Sequence, residues 1–153
     1  MTDFESLPNA SASREMPVPA NAVWQVLSSL DRLAEWAPGI DGAAVTSPQK
    51  AGVGAVRRVA TAQFGEIEHR VAIWDTDRKF VYETADSGPF SRTLTTYDIS
   101  GTIRGPAVVT VSIAFEIHAG GMPSEQAKVI LTKGLEATLQ ALELQARMIS
   151  AEA

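Results

Sequence analysis

The stretch SEQAKVILTKGLEATLQALELQARMI, residues 124–149, decides the fold. It follows Gly120, Gly121 and Pro123, contains no proline, and predicts one helix of about 26 residues. Ala127, Leu131, Leu135, Leu142, Ala146 and Ile149 recur on one stripe, with Leu139 at its border. Lys128, Lys133, Glu136, Gln140, Glu143 and Arg147 lie largely off it. A single long amphipathic helix placed after a run of strands must bury its stripe on a sheet. Gly134 falls near the stripe, where a helical glycine costs about 1 kcal/mol against alanine. Either the site is tolerant, or the helix approaches the sheet closely there or leaves room for a ligand.

Upstream, from Ala43 to Ile117, the hydrophobic period is two. Runs rich in Val, Ile, Thr and Tyr are broken at Pro48–Gly54, Gln63–Gly65, Asp75–Lys79, Asp86–Pro89 and Arg104–Pro106. About six strands with short connections call for antiparallel pairing of neighbours. Before them, a first strand is expected near Ser13–Val18, although Pro17 cannot donate to a ladder. Pro19 suits the entrance of a short helix carrying Val23, Trp24, Leu27 and Leu30. Asp31 suits the N-cap of a second, Arg32–Trp36, stopped by Pro38 and Gly39. The class is therefore α+β: a curved antiparallel sheet of six to seven strands wrapped around a long C-terminal helix, with two short helices after the first strand.

The length of 153 residues suits one domain, expected over 13–150 behind a flexible lead-in, 1–12. That lead-in carries Asp3 and Glu5 and does not read as a secretory signal. With no cysteine the chain has no disulfide, thiolate metal site or cysteine nucleophile, which suits a cytoplasmic location. A net charge of −5 with scattered bases argues against nucleic acid. No apolar run approaches the roughly 20 residues that insert into a bilayer.

The stretches PVPANAVWQVLSSLDRLAEWAPGI, AGVGAVRRV and HRVAIWD resemble the polyketide cyclase/dehydrase-like branch of the START-like (SRPBCC) superfamily. The resemblance covers nearly the whole chain after about residue 12 and rests on order and spacing. Its pieces are Val23-Trp24, Trp36 with Pro38, the Gly52-x-Gly54-x-x-Arg57 turn and strand, and the closing helix. It implies the helix-grip fold, whose members include aromatase/cyclases, lipid and hormone binders, quinone-binding proteins and Hsp90-activator-like domains. One fold hosts many functions, so the chemistry has to come from the site. Glu35-Trp36-Ala37-Pro38-Gly39 lacks the paired tryptophans of the Hsp90-activator-like branch, which lowers that reading.

Alternation assigns faces without the family. In Glu66–Trp74, Ile67, His69, Val71 and Ile73 share the apolar face, and Trp74 falls on the other. With a turn at Ala62–Phe64, Val59 pairs with Ile67, Arg57 with His69 and Ala55 with Val71, so Arg57 also points inward. A slip of one residue would reverse this. Phe80, Tyr82 and Thr84 share one face of the next strand; Tyr97 and Ile99, then Val109, Val111, Ile113 and Phe115, continue it. The expected ligand-binding set is Arg57, His69, Val71, Tyr82, Thr84, Tyr97, Val111, Ile113, Phe115, Leu131 and Leu135: apolar walls with a few polar points. Trp24 and Trp36 read as core of the clasp made by the two short helices, and His118 as a rim residue.

Arg57 is the sharpest point. The resemblance implies an acid at the position of His69, and here that partner is missing. An unpaired buried charge is penalised by several kcal/mol. Arg57 could reach Glu116 or Asp98, contact water, or meet an anionic or carbonyl group on a ligand. No metal constellation, phosphate loop or nucleophile elbow is present, and no cofactor is implied. The residues leave three functions open. One is a binder that holds a small hydrophobic molecule, polyketide-, lipid- or aromatic-like and with one carbonyl or acidic group, in an internal cavity under the helix. Another is a cyclase/dehydratase-type enzyme using His69 as acid/base and Arg57 to steady an enolate. The third is a protein-interaction module. Monomer and homodimer are both open, an exposed first strand being one route to a dimer.

Overall fold

The computed structural model describes residues 6–102 and 104–152. Strand β1 (Asn9–Met16) leads into helix α1 (Ala20–Ser28) and a 3-10 turn, Leu30–Glu35. Six strands follow: β2 (Ile40–Val45), β3 (Val56–Thr61), β4 (Gly65–Asp75), β5 (Lys79–Thr84), β6 (Phe90–Gly101) and β7 (Ala107–Ile117). Helix α2 (Ser124–Glu152) closes the chain. The strands form one sheet in the order β1-β7-β6-β5-β4-β3-β2, every pair antiparallel. The clasp of α1 and the 3-10 turn carries the chain from one edge of the sheet to the other, and the meander then returns to close on β1.

Strand β1 begins four residues earlier than expected, at Asn9, so residues 9–12 of the presumed lead-in belong to the sheet. It ends at Met16 because Pro17 has no N–H to donate. Residues 1–5 of that lead-in lie outside the described residues. The second short helix is a 3-10 turn starting one residue before Asp31. Its N-cap residue is Ser29, whose hydroxyl donates back to the Gln25 carbonyl at 2.7 Å.

The β3–β4 hairpin has the expected register, Arg57 opposite His69 and Val59 opposite Ile67. Further along β4 a bulge between Val71 and Ile73 breaks the alternation. Ile73, expected inside, is consequently 41% exposed. Trp74, expected outside or at a rim, turns inward instead. It packs edge-to-face on Trp24 with ring centroids 5.2 Å apart, and on Phe80 at 6.0 Å. The bulge thereby fastens the clasp to the sheet with an aromatic cluster.

Helix α2 buries Ala127, Leu135, Leu139, Leu142 and Ala146, with Leu131 and Ile149 partly covered. Leu139, placed at the border by spacing, is fully inside. The helix lies against β1, β7 and α1. Arg14 of β1 donates to Glu143 at 2.8 Å, which covers a glutamate expected on the wet side. Gly134 is exposed, and a Cβ there would meet nothing within 4 Å. The close-approach reading of this glycine is therefore excluded. Gly134→Ala should stabilise the dilute protein by about 0.5–1 kcal/mol, read as a raised urea midpoint with unchanged slope.

Candidate functional site

Arg57 and His69 face inward from adjacent strands and are 3% and 7% exposed. The Arg57 Nε–H donates to His69 Nδ1 at 3.0 Å, and its Nη1 donates to the Leu30 carbonyl at 3.3 Å. Leu30 opens the 3-10 turn, so the clasp supplies the second anchor. The guanidinium carbon stands 5.2 Å from the Tyr82 ring centre and 5.9 Å from that of Phe80. His69 stacks on Tyr82 with centroids 4.1 Å apart and planes inclined by 17°. Phe80, outside the expected set, supplies the aromatic floor and links Tyr82 to Tyr97.

The acids considered for Arg57 are engaged elsewhere. Glu116 accepts from Ser91 at 2.6 Å and lies 3.8 Å from Arg92, while Asp98 stands 3.5 Å from Lys79. Among the described residues no carboxylate forms an ion pair with Arg57. A guanidinium carries five N–H donors, and two are used here. Cation–π contacts return roughly 1–2 kcal/mol, less than the several kcal/mol that desolvating an unpaired charge costs. The cluster thus holds a cation with donor capacity to spare.

Burial lowers the pKa of Arg57, opposed by Tyr82 and Tyr97. Burial, and then the Arg57 charge, push His69 well below the ordinary histidine value, so the ring is neutral. With Nδ1 accepting from Arg57, its proton sits on Nε2. Burial also raises the Tyr97 hydroxyl, which stays a phenol.

Of the other expected residues, Val71, Thr84, Tyr97, Val111, Phe115 and Leu135 are buried, and Tyr82, Ile113 and Leu131 are half-buried. Thr84 spends its hydroxyl on Thr93 of β6 at 2.6 Å, a partner that alternation could have supplied. Phe115 packs with Phe90 and Ala127 in a separate cluster, away from Arg57. Trp36, read as clasp core, packs there but leaves its buried indole N–H without an acceptor. Between clasp and sheet runs an open groove of about 580 Å³, lined by residues that include Leu30, Val45 and Lys50. Val45 is the register partner of Arg57 and Leu30 is its carbonyl anchor, so this groove lies beside the cluster. His118 pairs with Asp86 at 2.7 Å on the rim.

A long helix gripped by a seven-stranded antiparallel sheet, with an inward polar point, defines a START-like helix-grip protein. The family model "Polyketide cyclase / dehydrase and lipid transport" matches residues 8–146, and the chain belongs to that family. A START superfamily protein from Mycobacterium smegmatis superposes with a TM-score of 0.79 at 17% identity, covering 92% of this chain and 98% of that one. The protein XoxI from Bacillus cereus gives 0.77 at 22% identity, covering 96% and 99%. Ara h 8.0201 gives 0.71 at 16% identity, covering 92% and 97%. At these identities the likeness is one of fold. No protein with a curated description matches the chain. No helix among the described residues is long and apolar enough to cross a membrane.

Because His69 is held neutral when folded, the unfolded chain takes up the extra proton as pH falls through the ordinary histidine value of 6.5. Stability should therefore fall from about pH 7 to about 5.5, with a slope approaching about 1.4 kcal/mol per pH unit below the histidine value. His69→Gln, which keeps an acceptor for Arg57, should flatten that slope in urea unfolding series. An unchanged slope would contradict the neutral buried ring.

Proposed function

We propose that this protein binds a small, largely hydrophobic molecule bearing one carbonyl or acidic group, and that this group meets Arg57. The observation that carries the reading is the buried guanidinium with no carboxylate partner and three N–H donors to spare. A ligand oxygen supplies what the fold withholds, and an ionised one makes a charge-assisted bond. The apolar remainder would lie against Phe80, Tyr82, Ile113 and Leu131, of which Tyr82, Ile113 and Leu131 keep some exposure. Family membership supports a ligand-binding module of this kind. The absence of cysteine suits a reducing compartment, and we place the protein in the cytoplasm.

Binding is favoured over acid–base turnover by one feature of the hydrogen bonding. The only acceptor nitrogen of neutral His69 is occupied by Arg57, so the ring has no free lone pair with which to take a proton from a ligand. His69 then acts as a positioning residue that aims the guanidinium.

Fluorescence titration tests the proposal with two probes. Anilinonaphthalene sulfonate is apolar and anionic; N-phenylnaphthylamine is apolar and uncharged. Arg57→Met should weaken the anionic probe by at least about tenfold and leave the neutral one within about twofold. Native mass spectrometry of freshly purified protein should show a co-purifying small molecule in the wild type that is lost in Arg57→Met. Equal affinity of wild type and Arg57→Met for the anionic probe would sink the assignment of Arg57.

A further inference from the structure

The face of α2 turned away from the sheet carries Ile130, Gly134, Ala137, Ala141, Leu144 and Met148, at alternating spacings of four and three. Ile130, Leu144 and Met148 are 50%, 62% and 59% exposed, and Gly134 and Ala137 are also open to solvent. That spacing is the a/d seam of a coiled coil, where the outer face of a lone surface helix should be polar. None of the six residues is charged or polar.

We infer that this seam docks against the same seam of a second copy of the chain, antiparallel, about a twofold axis near Leu139. The pattern is its own complement when reversed. Positions equidistant from residue 139 bring Ile130 opposite Met148, Gly134 opposite Leu144, and Ala137 opposite Ala141 of the second copy. An isologous interface needs this self-match. The empty space around Gly134, with nothing within 4 Å of a notional Cβ, is where Leu144 of the other copy enters. A parallel pairing would set Gly134 against Gly134 and leave a hole. Of the charged residues in this stretch Lys133, Glu136 and Arg147 are exposed with the seam, whereas Glu143 is turned inward to Arg14 of β1. The exposed side chains amount to roughly 500 Å² per copy, or roughly 1,000 Å² in total, the lower bound for a specific interface. The dimer is accordingly weak and concentration-dependent, and it leaves the Arg57 cluster untouched on the opposite side of α2.

Sedimentation equilibrium of the full chain, from low micromolar to near-millimolar concentration, tests this. The wild type should show a monomer–dimer equilibrium. Leu144→Glu should be monomeric with unchanged circular dichroism. Gly134→Leu fills the receiving hole with a better helix former, so it should hold or raise the melting temperature yet weaken the dimer at least about tenfold. Because the native chain has no cysteine, single-cysteine variants report register. Ala137→Cys mixed with Ala141→Cys should give the mixed disulfide in preference to either self-pairing. A monomer at every concentration, a dimer indifferent to Leu144→Glu, or Ala141→Cys chains that link chiefly to themselves would each overturn the inference.

Discussion

The hydrogen bond from Arg57 to His69 spans the β3–β4 hairpin and holds a charged group inside an apolar fold. Everything around it follows from the need to tolerate that charge. Tyr82 and Phe80 present ring faces to the guanidinium, the first residue of the 3-10 turn offers its carbonyl, and His69 stays neutral because burial, and then the neighbouring guanidinium, disfavour its charged form. These partners arrive from three separate segments, β4, β5 and the 3-10 turn. The arrangement soothes the charge without neutralising it. A fold built only for stability would do better with an apolar side chain of similar volume.

The rest of the molecule brings those segments into place. The bulge in β4 turns Trp74 onto Trp24, which seats α1 and sets Leu30 above Arg57. Glu143 of α2 meets Arg14 of β1, the far edge strand, so the closing helix is tied to β1 and β7 rather than pressed onto β3–β5. Leaning that way, it leaves the polar cluster between the clasp and the concave face. Tyr82 is half-buried there, stacked on His69 and under the guanidinium. The same helix presents a second apolar seam outward, the face proposed above to meet a copy of the chain.

Much of this was legible in the sequence. The two-residue period and a turn at Ala62–Phe64 set Arg57 opposite His69, because one hairpin with a short turn admits few registers. The helical stripe was equally plain. What escaped were features with no local signature. A bulge adds one residue to a strand without altering composition, so Trp74 and Ile73 exchanged faces unseen. Asn9-Ala10-Ser11-Ala12 has little strand propensity and is a strand because β7 pairs with it. Glu143 reads as solvent-facing until a partner from the other end of the chain covers it. The carbonyl anchor at Leu30 is a backbone group, invisible to any reading of side chains.

Beyond His69 and the Leu30 carbonyl, three N–H donors of Arg57 are left over, and we propose that a ligand oxygen takes them up. The most direct measurement is a crystal structure of the protein with anilinonaphthalene sulfonate bound. A ligand oxygen is expected within hydrogen-bond distance of the Arg57 guanidinium, with the Nε bond to His69 kept. A ligand seated elsewhere, with Arg57 still bonded only to His69 and Leu30, would contradict it.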